Sequence, residues 1–239
     1  MLDAWLDLVL GSTCVVCHAP GRLLCPACRT ALPSTATPVA PTPSPAGLAP
    51  CRAVGEYDGP LRALVLAHKE ERAFALAAHL GRLLATAVAG LPGVEATRLL
   101  VPVPSRAAVV RRRGHDPMLR VCRVAAATLR RDGQDARVVR LVRQHRATAD
   151  QAGLDAVHRA ANLAGSMVVD ARTLRRLARS GARVQAVVCD DVLTTGATAR
   201  EAQRALEGVG VVVGGIACVA ATRRRAPVRG RLPLSGADG

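Results

Sequence analysis

Two groups of residues have types and spacings that can do chemistry. The first is Cys14-x-x-Cys17 followed, after seven residues, by Cys25-x-x-Cys28. Each pair can form a tight knuckle that turns two thiolates toward one point, and two knuckles complete the tetrahedral four-sulfur set that structural zinc prefers. Pro20, Gly21 and Pro26 supply turn chemistry around them. The segment is too short for a core of its own, so metal binding would supply its folding energy. The alternative is a pair of redox disulfides, but no thioredoxin-like pattern surrounds them. His18 is a possible substitute ligand, although four thiolates already suffice. Cys51, Cys122, Cys189 and Cys218 have no partners at metal spacing and read as core thiols.

The second group is the run from Ala186 to Thr198, AVVCDDVLTTGAT. Four apolar residues predict a buried strand, and Asp190 and Asp191 follow at its carboxyl end, where open α/β sheets bind ligands. Thr194, Thr195, Gly196, Ala197 and Thr198 make a loop of small residues. Thr198 and Glu201 have the spacing of a capping box, which predicts a helix starting at Ala199. Loop N–H groups, threonine hydroxyls and the positive helix end would then converge on an anion such as a phosphate monoester. The carboxylates behind it could accept hydrogen bonds from vicinal hydroxyls of an attached sugar, with a metal nearby. Phosphate plus diol is the pattern of a ribose 5-phosphate. The plain alternative is a strand–turn–helix with acidic loop residues.

These groups must be positioned by the rest of the chain. Residues 2–10 read as a short amphipathic helix. Residues 33–50 hold six prolines, cannot form a helix or a central strand, and read as a semi-extended linker. Helical spacing covers 61–66, 74–88, 117–130 and 199–207; apolar runs of strand length lie at 99–103, 138–142, 167–169, 184–189 and 211–219. The alternation predicts an α/β domain with a mainly parallel sheet over 51–222. The Cys segment and first helix would occupy 1–32, the linker 33–50 and a disordered basic tail 223–239.

Composition narrows the function. The 239 residues carry 33 basic and 18 acidic side chains, a formal net charge of +15. Lys69 is the only lysine, which sets it apart in a chain where arginine serves everywhere else. Trp5, Tyr57 and Phe74 are the only aromatics, which argues against modules that stack nucleic-acid bases. No apolar stretch is long enough for a membrane span. Met1-Leu2-Asp3-Ala4 has no basic region ahead of its apolar stretch, so a secretion signal is not expected, and the cysteines fit a reducing cytoplasm.

The Asp-Asp-to-Thr198 run resembles the PRPP-binding motif of type I phosphoribosyltransferases. The wider chain, over about residues 10–221, resembles the ComF family of competence-associated proteins, which join an N-terminal zinc ribbon to a phosphoribosyltransferase-like domain. The further matching residues are Tyr57-Asp58-Gly59, Leu61-Arg62, Lys69, Val101-Pro102-Val103-Pro104, Arg113-Gly114, Arg146, Thr148, Gln151, Arg159 and Asn162. The resemblance implies PRPP binding with Mg²⁺ and pentosyl transfer to an acceptor that the sequence does not specify, in a protein associated with DNA uptake. It implies that Asp190 and Asp191 hold the ribose hydroxyls and that Thr194 to Thr198 hold the 5-phosphate. Pro104, Ser105 and Arg106 would meet pyrophosphate, with Arg111, Arg112 and Arg113 close behind. Lys69 and Arg113 would neutralise the leaving group. Arg146, Thr148, Gln151, Arg159 and Asn162 would form a polar loop beside the site. The chain departs from the family at His115, Asp116 and Pro117, where an aromatic and an Asn-Gln pair are usual.

A competing reading keeps the fold but not the catalysis: a DNA-uptake accessory that binds single-stranded DNA and protein partners. Residues 98–146 hold thirteen arginines against three acids, enough to neutralise phosphates without reading sequence. A dinucleotide-binding reading would rest on Gly208, Gly210, Gly214 and Gly215. It fails because these glycines follow a helix instead of opening one.

Overall fold

The computed structural model describes residues 12–71, 73–93, 95–105, 110, 114, 116–145 and 165–222. The expected first helix and basic tail lie outside the described residues. So do Arg106, Arg111, Arg112, Arg113, His115, Arg146, Thr148, Gln151, Arg159 and Asn162.

A six-stranded sheet organises the chain in the order β1-β2-β8-β7-β3-β4. Its strands are β1 (Thr37–Val39), β2 (Cys51–Glu56), β3 (Thr97–Pro102), β4 (Ala136–Val138), β7 (Val184–Leu193) and β8 (Val213–Ala221). Only the β1–β2 pairing is antiparallel; the pairings β2–β8, β8–β7, β7–β3 and β3–β4 are parallel. β3 is buried at every position, as a strand covered on both faces must be. A separate two-stranded antiparallel sheet pairs β5 (Val142–Gln144) with β6 (Met167–Val169).

Each face of the sheet has its own core. On one face pack α2 (Gly59–Glu70), α3 (Ala77–Ala89) and α4 (Pro117–Arg131), through residues such as Leu64, Leu80, Leu84, Val121 and Leu129. α2 turns Leu61, Leu64, Val65, Ala67 and His68 inward, the stripe that helical periodicity requires. Gly81 lets α3 and α4 touch: a Cβ there would lie 2.4 Å from Val124 Cβ. Arg98, buried on β3, donates to the carbonyls of Val88, Leu91 and Pro92 and so ties down the end of α3. On the other face pack α6 (Ala197–Glu207), Leu174 and Leu177 of α5 (Ala171–Arg179), and the β5–β6 pair.

The structure revises several expectations. Residues 138–142 are not one strand: the chain leaves the main sheet between β4 and β5, with Val139 N donating to Leu100 O before the turn. α5, with four arginines and two leucines facing the core, had no predicted counterpart. β7 continues through Asp190 and Asp191 to Leu193. α6 starts at Ala197, two residues ahead of the expected position, because Gly196 enters it at φ 71°. The capping box does not form. Glu201 instead accepts from Met167 N at 3.0 Å and from Arg204 Nε and Nη2 at 2.6 and 2.8 Å. Asp116 and Pro117 have a local role: the Asp116 carboxylate caps α4 by accepting from Leu119 N, and Pro117 opens the helix.

Residues 33–50 are held against the domain. β1 is a three-residue edge strand, which suits a proline-rich stretch. The chain then crosses the sheet edge, and Val39, Leu48 and Ala49 pack on the α6 side. Among the described residues no helix is long and apolar enough to cross a membrane.

Candidate functional site

The four spaced cysteines do come together. The sulfurs of Cys14, Cys17, Cys25 and Cys28 all lie within 4.8 Å of one another. Cys17 Sγ and Cys25 Sγ are 3.7 Å apart, close to the edge of about 3.8 Å that a tetrahedron with 2.3 Å zinc–sulfur bonds requires. Backbone N–H groups point at the sulfurs, Cys25 N at Cys14 Sγ and Cys28 N at Cys25 Sγ, each at 3.5 Å. The turn that brings Cys14 and Cys17 together is closed by His18 N on Cys14 O, with His18 itself at φ 61° and exposed. Cys25 is the N-cap of α1 (Pro26–Thr30), which carries Cys28. Cys14 and Leu24 sink into the core beside α3, so the knuckles are seated on the domain.

The sulfurs also set each other's acidity. Burial would push the Cys14 thiol up, but the N–H groups of Cys25, Cys17 and Val16 bring it down to about 6. Cys28 is pushed up to about 12 by the thiols of Cys17 and Cys25. Four sulfurs this close cannot all ionise unless a cation sits among them. The set is therefore competent to hold a metal. Cys51, Cys122, Cys189 and Cys218 are buried, as core thiols should be.

The second site follows from the strand order. α4 carries the chain from β3 to β4 on one face, and α6 carries it from β7 to β8 on the other. β3 and β7 are neighbours whose connections leave in opposite directions. A crevice opens at such a switch point, outside the carboxyl ends of the strands. Asp190 and Asp191 lie near that end of β7, which runs on to Leu193. Val103, Pro104 and Ser105 leave β3 beside them, with Val103 N donating to Cys189 O at 2.9 Å. Tyr57 and Asp58 leave the carboxyl end of β2 on the same edge, where Tyr57 N bonds Ala221 O.

Lys69, in the last turn of α2, forms an ion pair with Asp191 Oδ2. The pairing joins residues far apart in sequence, and the Asp190 Oδ1 acceptor is fixed from behind by Asp191 N at 2.9 Å. Asp190 is only partly open to solvent. Its burial, then the charge of Asp191, pushes its carboxyl up to about 7, against the pull of Lys69 and of the Asp191 N–H. Burial acts on Lys69 in the opposite direction, but the charges of Asp191 and Asp190 outweigh it and the ammonium is held above its ordinary value. Tyr57 adds to that effect. At neutral pH the group thus holds one firm ion pair and one carboxyl near its midpoint. Such a set can exchange a proton or receive a hydroxyl.

Beyond β7, Thr194 is exposed, Thr195 and Thr198 are half-buried, and Gly196 and Ala197 are buried. Thr195 Oγ1 accepts from Ala197 N at 3.4 Å. The loop and the amino end of α6 therefore sit directly after the carboxylates, as the residue order required. Of the expected site residues, the structure gathers Asp190, Asp191, Lys69, Pro104, Ser105 and Thr194 to Thr198 along one edge of the sheet. The Lys69–Asp191 pairing had no local signal beyond the singular lysine. Arg200 and Gln203, which hold the chain around this loop, had none.

No protein-family model matches the chain, and no curated protein matches it.

Proposed function

We propose that the chain is a ComF-like protein whose α/β unit has the type I phosphoribosyltransferase fold and binds PRPP. The observation that carries this reading is the placement of Asp190 and Asp191 toward the carboxyl end of β7, beside the parallel strand β3, with a glycine-entered loop and the amino end of α6 following Leu193. The loop would take the 5-phosphate on its N–H groups and hydroxyls. Asp190 and Asp191 would accept from the ribose hydroxyls. Pro104 and Ser105, with Arg106, would line the pyrophosphate side, and Lys69 and Arg113 would balance its charge. Arg146, Gln151, Arg159 and Asn162 would complete the polar surroundings.

The reaction would form a bond from the acceptor's nucleophilic atom to the anomeric carbon. The bond to pyrophosphate would break, its electron pair leaving with that group, and the acceptor's proton would pass to water or a base in the crevice. Oxygen donors such as the Asp190 and Asp191 carboxylates suit Mg²⁺, which when bound would neutralise the leaving pyrophosphate. The four cysteines would hold structural zinc, whose preference for sulfur matches the set. On this reading the protein acts in the cytoplasm, in DNA uptake.

Calorimetric titration of PRPP with Mg²⁺, into the wild type and an Asp190→Asn/Asp191→Asn double variant, tests the proposal. Saturable binding lost in the variant supports it. No binding by the folded wild type refutes it.

One observation favours a second reading, an accessory that binds single-stranded DNA. Arg172, Arg175, Arg176 and Arg179 share one helical face of α5 and are all exposed. Such a face would bind phosphates without reading bases, and its affinity would fall steeply with salt. A flat salt response would exclude that face as the cause.

A further inference from the structure

Residues 41–49 lie against the loop that the proposed function assigns to phosphate. A Cβ built on Gly196 would come within 2.9 Å of Pro41 Cγ, 3.3 Å of Leu48 Cδ2 and 3.5 Å of Pro45 Cδ. Three side-chain bonds from α6 hold the segment in that seat. Arg200 Nε donates to Ala46 O at 3.0 Å. Gln203 accepts from Ala49 N at 2.9 Å through Oε1 and donates to Gly47 O at 2.9 Å through Nε2.

Gln203 is only 3% exposed, and its carboxamide is used on this segment and on Glu207 Oε1 at 2.7 Å. A buried amide costs stability unless its bonds are made, so its contacts with 47 and 49 are a strong constraint on where the segment lies. Arg200 adds a contact that reaches outward past Gly47 toward its ion pair with Glu207. β1 anchors the other end on β2. The segment is therefore fixed at both ends, and its proline and leucine side chains close off the outer side of Gly196.

We propose that residues 41–49 are a clasp that holds the loop 194–198 in its ligand-ready shape, with Arg200 and Gln203 as its positioning residues. Gly196 lies in the left-handed region at φ 71°, and the loop needs that conformation to turn from β7 into α6. The clasp leaves no room for the loop to swing outward at this residue. Without it, the loop samples other conformers, and the apparent affinity falls by the fraction of time spent in the competent one. This inference rests on the phosphate reading of the loop for its effect on affinity, but not for its effect on loop order.

The test uses the full chain and two variants, Gln203→Leu and the milder Arg200→Ala, which leave 190, 191 and 194–198 untouched. Amide hydrogen exchange is followed peptide by peptide, and PRPP with Mg²⁺ is titrated in parallel. The expected result is faster exchange at 41–49 and at 194–198 together, with β7 and β8 unchanged, and PRPP affinity weakened by about tenfold in Gln203→Leu. A general structural role would instead speed exchange across β7 and β8. Loosening of 41–49 with 194–198 as protected as before overturns the clasp. If the wild type takes no PRPP, the phosphate reading fails, while coupled exchange of the two segments still decides the clasp.

Discussion

Replacing Asp190 by asparagine should stabilise the protein, and by an amount that grows with pH. The carboxyl is raised from 3.8 to about 7 in the folded chain. The native state therefore binds more protons than the unfolded one between those values, and its stability falls as pH rises through that window before levelling off above about 7. At 1.36 kcal/mol per unit, ionising Asp190 withholds on the order of 3 kcal/mol at about pH 6 and 4 kcal/mol at about pH 8. Asparagine removes the charge but keeps an oxygen for the Asp191 N–H now accepted at 2.9 Å.

The assay is urea unfolding of wild type and Asp190→Asn from about pH 6 to pH 8, both with the same added Zn²⁺, so that contributions from the cysteine cluster cancel. The gain should increase by roughly 1 kcal/mol across the range, because the native wild type gives up most of one further proton there. The same variant should bind PRPP poorly. Stability gained where binding is lost would mark Asp190 as held in an unfavourable state for use. A gain that is flat with pH, or a loss of stability at all pH values, would refute the assignment of that environment to Asp190.

Chelation of the metal should raise exchange over residues 12–32 while β7 and β8 keep their protection, measured by amide exchange; equal loss in both would make the Cys knuckles part of the main folding unit. Glu201→Ala should destabilise by about 2–3 kcal/mol, since Met167 N–H and Arg204 both lose their acceptor, and chemical denaturation would read it. Burial opposes ionisation of Glu201, but Arg204 and the Met167 N–H outweigh it and hold the carboxyl low. Its contribution is therefore present above the unfolded carboxylate value and fades as pH falls through the native one. Gly81→Ala should cost about 1–3 kcal/mol by forcing α3 away from α4, seen as a lowered Tm.

Some of this was legible in the residues because the signals were local. Two Cys-x-x-Cys pairs close in sequence had to meet, and their sulfurs do. The apolar run before Asp190 is β7 because nothing but burial on both faces tolerates it. Boundaries failed where a distant group decided them. The Thr198–Glu201 spacing suggested a cap, but Glu201 is claimed by Met167 on β6, and Gly196 supplies the turn instead. α5 escaped because four of its nine residues are arginine and only Leu174 and Leu177 mark an inward face. The proline-rich segment looked like a connector because its partners, Arg200 and Gln203, are polar and lie about 150 residues downstream. Lys69 was singled out by type alone; its place against Asp191 depends on how α2 lies on the sheet.

The strand order also sets a timetable. β2 is paired along its length with β8, and Cys51 lies opposite Ile216. A chain leaving the ribosome exposes β2 and its apolar face long before its neighbour exists. Until residue 221 is free, the early strand has only the three residues of β1 to cover one of its sides. Contacts this distant close slowly, and an open strand edge in the meantime invites pairing with other chains. The segment 33–50, folded back on β2 through β1, covers the opposite edge early, so a nascent chain has one edge of β2 left to protect instead of two.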